Sequence, residues 1–509
     1  MYLTQALHRA LQQAPDRPMS ICGERVRTTR EVADRVARLA AAFQDLGVEK
    51  GDRVGLLALN SDHYQEFFFG SWWTGAMAHP INTRWAPAEI AYALSDSDTQ
   101  VLLVDDNFAH LGPELRGRVP GLRTLIHFGD GPTPEGMLDY EELIARHEPV
   151  PDLRLGGDNV ALLLYTGGTT GTPKGVMVTD RGLQTSMTSS LCLNQSALTD
   201  GVSLISAPLF HVGAITGWYS QNLVGGTLVF LPNFTPEGVL QAIQQHRVTS
   251  ITLVPVMVQM VCNHPGFASY DTSSVQRVVY GAAGSPESLL HLAMRSFPQA
   301  RFTQGYGMTE TCVLTSLRHE DHVRGGPRLR SAGRSTPAIE VAVVGPDGVP
   351  LPPGEVGEIV TRGDHVMAGY WGKPELTAAT VRDAWMHTGD GGYLDEDGYL
   401  YIVDRLKDMI ITGGENVYSA EVENAVSSHP AVASCAVIGL PDDHWGERVH
   451  AVIVLKPGQS ATAEEIRAHA KTLIAGYKAP RSAEFVESLP LSPVGKILKR
   501  ELREARVEG

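Results

Sequence analysis

Nowhere in this chain do apolar side chains run unbroken for the about 18 residues a membrane-spanning helix needs, so no integral membrane span is expected. Cysteine is scarce. The five in 509 residues, Cys22, Cys192, Cys262, Cys312 and Cys435, are scattered without paired or metal-ligand spacing. That excludes a disulfide framework and fits a reducing, cytoplasmic compartment. Positive charge is in deficit, with 42 Lys and Arg against 57 Asp and Glu and a formal net charge of −15. Such a balance argues against bulk binding to nucleic acid or anionic membrane, but leaves room for a local basic pocket around an anion. No internal repeat or low-complexity stretch occurs, and the first residues, with Leu3, Leu7 and Leu11 at helical spacing, lack the apolar core of a signal peptide.

What is present is globular. Hydrophobic residues make up 43% and charged residues 19%, and the length calls for more than one core. From Asp52 to Asp105 strand-like runs (Arg53–Ala58, Ala76–Ile81, Val101–Val104) alternate with helical ones (His63–Trp73, Pro87–Leu94). That alternation signals a parallel α/β sheet, and it resumes at Val202–Ala207, Thr227–Leu231, Pro236–His246 and Ile251–Val254. Short strands at Ile339–Val344 and Glu355–Arg362, broken by Pro346-Asp347-Gly348 and Pro352-Pro353-Gly354, suggest a small antiparallel or barrel-like subdomain. After Asp404 the pattern changes to a compact α+β one: a helix over Ser419–Ser428, strands over Ala433–Ile438 and Val449–Leu455, and a helix whose start, Thr462 to Glu465, has capping-box spacing. The expected architecture is thus α/β, with a large parallel layered N-terminal domain (1–404) and a small α+β C-terminal domain (405–509).

The densest chemistry lies in Tyr165-Thr166-Gly167-Gly168-Thr169-Thr170-Gly171-Thr172-Pro173-Lys174-Gly175, eleven residues with four glycines, four threonines and one lysine between two apolar runs. Glycines let backbone N–H groups approach an anion, threonine hydroxyls add donors, and the lysine adds charge. This reads as a loop for nucleotide phosphates. A Gly/Thr-rich hairpin turn would also set glycines between apolar runs, though hairpins seldom need so many. The Walker pattern fails, because Lys174 is followed by Gly175 where Ser or Thr is required.

Further along, Gly281-Ala282-Ala283-Gly284 follows the strand Val278–Tyr280, where small residues leave room for a flat ligand. Gln304-Gly305-Tyr306-Gly307-Met308-Thr309-Glu310 offers a ring to stack on a base, a hydroxyl for phosphate and a carboxylate for a cation. Then come His387-Thr388-Gly389-Asp390, Asp404-Arg405-Leu406-Lys407-Asp408, Gly413-Gly414-Glu415 and Gly495-Lys496.

In this order the set resembles the adenylate-forming superfamily of acyl-CoA synthetases, nonribosomal-peptide adenylation domains and firefly-type luciferases, over about Thr28 to Arg500. The resemblance implies that Thr166, Gly167, Gly168, Thr169, Thr170, Gly171 and Lys174 hold the β- and γ-phosphates of ATP. It implies that Gly281, Ala282, Ala283 and Tyr306 flank adenine, with Gln304, Gly305 and Gly307 beside them. Thr309 would meet the α-phosphate, Glu310 with Thr170 would hold Mg2+, and Asp390 and Arg405 the ribose. Lys496 would bridge the α-phosphate and the substrate carboxylate. Lys407 falls at the hinge of a mobile C-terminal domain that brings Gly413, Gly414 and Glu415 to coenzyme A. Two departures stand out: Gly167 where serine is commonest, and Ser419 where proline is usual, a change expected to loosen the following helix start without touching the chemistry.

Pro208-Leu209-Phe210-His211-Val212-Gly213 matches the segment bordering the acid pocket in that family, with His211 a gate, a contact to the substrate carboxylate or a structural residue. Val212, Gly213, Val256, Ala282, Met308 and Cys312 would give that pocket apolar walls, with Gly305 beside them. Amino-acid-activating relatives place an aspartate near Phe210–Trp218; none stands here. Gly305 stands where malonate-activating relatives often carry arginine. An uncharged monocarboxylic acid, medium-chain fatty or aryl, is therefore expected, since a second buried charge would lack a partner. The chain stops soon after Lys496, so coenzyme A is the expected acceptor. A stand-alone enzyme loading a carrier protein, a luciferase-like oxygenase and a regulator that has lost catalysis are the alternatives. Small molecules are the expected partners, with a homodimer left open.

Overall fold

Apolar runs that alternate with helices bury both faces of each strand, which is how parallel sheets form. The computed structural model describes residues 1–166, 173–194, 197–405, 408–413, 415–442, 444–491 and 497–507, with the backbone alone of Asn194, Arg405, Asn416 and Val507. One compact unit comprises Met1–Leu329, Ser335–Glu340 and Thr361–Met386. Its first sheet has eight strands in the order Gly369–Tyr370, Lys174–Thr179, Val160–Thr166, Met77–Pro80, Arg53–Leu57, Val101–Asp105, Thr124–Phe128 and Leu138–Asp139. From Val160–Thr166 onward the strands are parallel, and the first two are antiparallel additions. The expected strand–helix alternation between Asp52 and Asp105 is present, with helices at Asp62–Thr74 and Pro87–Asp96.

The unit's second sheet has nine strands. Six are parallel, in the order Arg301–Met308, Arg277–Gly281, Ser250–Leu253, Val202–Ile205, Thr227–Phe230 and Pro18–Cys22. Cys312–Leu317 and Arg25–Thr28 add antiparallel partners at either end of that run. Helix Asp62–Thr74 is buried along its whole length, which its apolar residues on every face require. Trp218 of helix Val212–Val224 packs 4.8 Å from Phe68 and 5.8 Å from Trp72, so the two helices share one core. Three of the buried polar side chains of helix Asp62–Thr74 are paired: Trp218 Nε1 donates to Gln65 Oε1 at 2.8 Å, Arg25 meets Asp62 at 2.8 Å and Arg35 meets Glu66 at 2.7 Å.

The other compact unit comprises Arg330–Arg334, Val341–Val360 and His387–Gly509. Its sheet runs Glu415–Val417, Ile410–Thr412, Gly446–Leu455, Val432–Asp442, with Ser482–Phe485 added to Gly446–Leu455. Helices Ser419–Ser427 and Ala463–Lys471 accompany it, the latter opened by the expected Thr462–Glu465 capping box. Glu340–Val344, Gly357–Arg362, Val381–Arg382, Trp385–Leu394 and Leu400–Arg405 form a separate five-stranded sheet, in which Trp385–Leu394 pairs antiparallel with Leu400–Arg405.

Ser419 corrects one expectation. The helix start is fastened, because Asp404 Oδ2 accepts from the Ser419 amide at 2.6 Å and from its hydroxyl at 2.5 Å. Lys499 Nζ donates to the same hydroxyl and pairs with Glu423 Oε1 at 2.8 Å. A carboxylate at a helix N-terminus is well placed, and proline would have had no N–H to give it.

Candidate active site

In an open α/β sheet, ligands gather where parallel strands end. Gly281 ends one such strand and pairs in parallel register with Gly305 of the next. A Cβ on Gly281 would stand 2.3 Å from the Gly305 carbonyl oxygen, so only glycine lets these backbones meet. Ala282 takes a left-handed φ of 67°, and with Ala283 it is exposed, forming an open shelf. Tyr306, half-buried, lies one residue past the Gly281–Gly305 pair and opposite Thr315.

Gln304 Oε1 lies 3.4 Å from the Tyr280 hydroxyl, which is also 2.7 Å from His322 Nε2. Burial holds the His322 imidazole down at about 4, so the ring is neutral; its other nitrogen lies 2.8 Å from the Arg318 carbonyl and donates to it. That leaves Nε2 to accept the tyrosine proton.

The strand ends in a tight hairpin, Met308 to Cys312, with Thr309 and Glu310 at its tip. The Thr311 amide donates to the Met308 carbonyl at 3.1 Å. A Cβ on Gly307 would sit 1.7 Å from the Cys312 carbonyl oxygen. Glu310 is buried, and its Oε1 accepts the Tyr370 hydroxyl at 2.8 Å. Tyr370 is a site residue that sequence reasoning missed. Its hydroxyl pKa is pushed up by burial and by the nearby Glu310 charge, so the proton stays on oxygen.

The glycine/threonine segment joins two antiparallel strands, with Thr166 opposite Lys174 and Tyr165 opposite Gly175. Hairpin and phosphate loop were therefore not competing alternatives, since the segment's ends are a hairpin's ends. Lys174 Nζ lies 4.4 Å from the centre of the Tyr370 ring, and Tyr165 donates to Asp96 Oδ2 at 2.5 Å. Gly167, Gly168, Thr169, Thr170 and Gly171 lie outside the described residues, as do Lys407, Gly414 and Lys496.

His211 precedes helix Val212–Val224 and packs its ring 4.3 Å from Phe210. The approach to it is pinned by Asn60, also missed from sequence. Asn60 Nδ2 donates to the Ala207 carbonyl at 2.9 Å and Oδ1 accepts from the Leu209 amide at 2.9 Å. A small cleft of about 50 Å³ includes Asn60, Pro208 and Phe210 but none of Val212, Gly213, Val256, Ala282, Met308 and Cys312.

Within the other unit, Asp390 is buried and pairs across the strands with the backbone of Arg405, whose side chain is outside the described set. Thr388 Oγ1 donates to the Ile359 carbonyl at 2.7 Å and accepts from the Asp390 amide at 3.1 Å. Thr412, which precedes Gly413, stands opposite Glu415 in an antiparallel pair. Gly413 has a φ of 62°, and its amide donates to the Trp445 carbonyl at 2.8 Å. Among the described residues no group of three or more His, Cys, Asp or Glu is arranged for a metal ion, and no helix is long and apolar enough to cross a membrane.

Comparison with known proteins adds the following. A family model described as AMP-binding enzyme matches residues 7–371, and one described as AMP-binding enzyme C-terminal domain matches residues 421–496. A feruloyl-CoA synthase of an Amycolatopsis species is 43% identical across 94% of this chain and 93% of its own length. ScoC of Streptomyces coeruleorubidus, a fatty acid–[acyl-carrier-protein] ligase, is 35% identical across 97% of this chain and 94% of its own. Among solved structures, the anthranilate CoA ligase AuaEII in complex with anthranoyl-AMP gives a TM-score of 0.92 at 29% identity, covering 99% of this chain and 97% of that one.

Proposed function

The chain belongs to the AMP-binding enzyme family, and from that premise we propose that it joins an uncharged monocarboxylic acid, aryl or medium-chain aliphatic, to coenzyme A through an acyl-adenylate. The observation that carries the nature of the acid is the space left by two glycines. A Cβ at Gly213 would meet nothing within 4 Å, and one at Gly305 only Val313 Cγ1 at 3.7 Å. Packing does not demand glycine at either position, so the missing side chains leave open space, at the surface for the exposed Gly213 and beside Val313 for the half-buried Gly305. A second carboxylate buried beside Gly305 and Val313 would be desolvated without a counter-charge.

In the first half-reaction a carboxylate oxygen attacks the α-phosphorus of ATP, the bond to the bridging oxygen of the β-phosphate breaks, and pyrophosphate leaves. Both reactants are anions, so charge stabilisation and alignment dominate, and no general base is needed. Lys496 has the role of neutralising charge between the carboxylate and the α-phosphate. Lys174 and the loop steady the pyrophosphate, and Tyr306 carries the adenine. Glu310, a buried oxygen donor whose Oε2 takes no hydrogen bond from the described residues, suits Mg2+ with Thr170, and the bound ion supplies positive charge against the phosphates. In the second half-reaction the coenzyme A thiol attacks the acyl carbon and AMP leaves with its phosphate oxygen. The five cysteines, all free thiols, support a cytoplasmic setting.

The experiment is coenzyme-A-dependent release of AMP across a panel of aryl, arylpropenoic and C6–C12 acids, about ten of each class. Activity confined to dicarboxylic or amino acids would overturn the reading of the acid. The likeness to ScoC favours one further arm, in which a phosphopantetheinylated carrier protein replaces coenzyme A. Turnover with the carrier alone would move the acceptor.

A further inference from the structure

The segment Met367–Trp371 touches both sides of the phosphate end of the site. The Ala368 amide donates to the Met177 carbonyl at 2.9 Å and the Trp371 amide to the Gly175 carbonyl at 2.8 Å, which lays Gly369–Tyr370 along the lysine-bearing strand. The Met367 amide donates to the Glu310 carbonyl at 2.8 Å, which ties the same segment to the hairpin tip. Tyr370 stands opposite Val176, so Lys174, two residues along, lies on the same face as its diagonal neighbour. The lysine ammonium rests over the ring at 4.4 Å, within the range of a cation–π contact, and the hydroxyl donates to Glu310 Oε1 at 2.8 Å. One side chain thus holds a phosphate-side cation on its face and a carboxylate at its tip.

A core tyrosine that merely fills space needs some partner for its hydroxyl, and a backbone carbonyl would serve. Here the partner is an acidic side chain at the tip of a hairpin, and phenylalanine would fill the same volume without it.

We propose that Tyr370 is a positioning residue for adenylate formation, its hydroxyl aiming the Glu310 carboxylate at the nucleotide-bound metal and its ring holding Lys174 toward the pyrophosphate. The inference rests on the ligase reading above. It makes the two functions of the ring separable. Tyr370→Phe keeps the face and loses the donor; Tyr370→Gln keeps a donor and loses the face.

The test uses the full chain with ATP and Mn2+ as the metal probe, reading free Mn2+ by electron paramagnetic resonance, alongside acid-dependent ATP–pyrophosphate exchange. Tyr370→Phe should weaken Mn2+ binding to the ATP-loaded protein about tenfold, the range seen when a partner of a metal ligand is lost, with the KM for the acid unchanged. Tyr370→Gln should keep Mn2+ affinity and raise the KM for ATP. Mn2+ affinity within about twofold of wild type in the Phe variant overturns the proposal. If that variant does not fold, the Gln variant decides alone, since weakened Mn2+ binding with an unchanged KM for ATP also overturns it. Wild type that binds Mn2+ and ATP but activates no acid sinks the ligase reading instead, and leaves the metal measurement readable.

Discussion

Lys496 is asked to lie between two anions, and that gives a sharp single-residue test. Replacing it with alanine should slow adenylate formation by at least about a hundredfold, the scale of losing a charge-stabilising donor, while thioester formation from supplied acyl-adenylate is spared. Equal loss in both half-reactions would refute the role. Lys496, Glu310 and Tyr306 could be proposed from the sequence because each stands in a short run whose order along the chain is itself the signal. Tyr370 and Asn60 were not. Their partners, Glu310 and Leu209, are far away in sequence, and a tyrosine or asparagine among apolar residues carries no local mark. Ser419 was visible as a departure, but its meaning depended on Asp404 and Lys499, which only the folded chain brings to it.

The strand Arg301–Met308 holds two glycines for opposite reasons. At Gly307 a Cβ would collide with the Cys312 carbonyl, so Gly307→Ala should disrupt the hairpin that presents Thr309 and Glu310 and abolish pyrophosphate exchange. At Gly305 the same change meets ordinary contact distance, so Gly305→Ala should fold with wild-type stability and lose the bulkiest acids first. Melting curves with the acid panel separate the two. An unfolded Gly305 variant, or a fully active Gly307 variant, would contradict this account. The sequence pattern identified most strands and helices, because alternation and caps are local. It could not show that the glycine/threonine segment closes an antiparallel hairpin, since register belongs to the pair of strands.

Across the larger unit, one buried carboxylate ties the amino-terminal segment to a distant helix. Asp180 Oδ1 accepts from the Leu3 amide at 2.9 Å and from Gln184 Nε2 at 3.0 Å, while Tyr219 donates to the Leu3 carbonyl at 3.1 Å. Burial, with a smaller contribution from Asp152, pushes Asp180 up to about 7 against the lowering effect of those two donors and the terminal amine. A carboxyl whose folded pKa exceeds its unfolded one holds its proton better when folded, so stability falls as pH rises from the usual carboxylate range through 7. Asp180→Asn removes that titration. Its melting temperature should match wild type near about pH 4 and exceed it at about pH 8, by a stability on the order of 1 kcal/mol. Parallel pH profiles for the two proteins would overturn the assignment.

The short strand Gly369–Tyr370 has a consequence for how the protein is made. It covers the outer edge of Lys174–Thr179, yet the ribosome delivers it long after that strand has emerged. Throughout that interval the nascent chain carries an uncovered sheet edge and a loop whose lysine has no ring to rest on. A chain cut short before Gly369 is left with the edge of Lys174–Thr179 uncovered and adhesive.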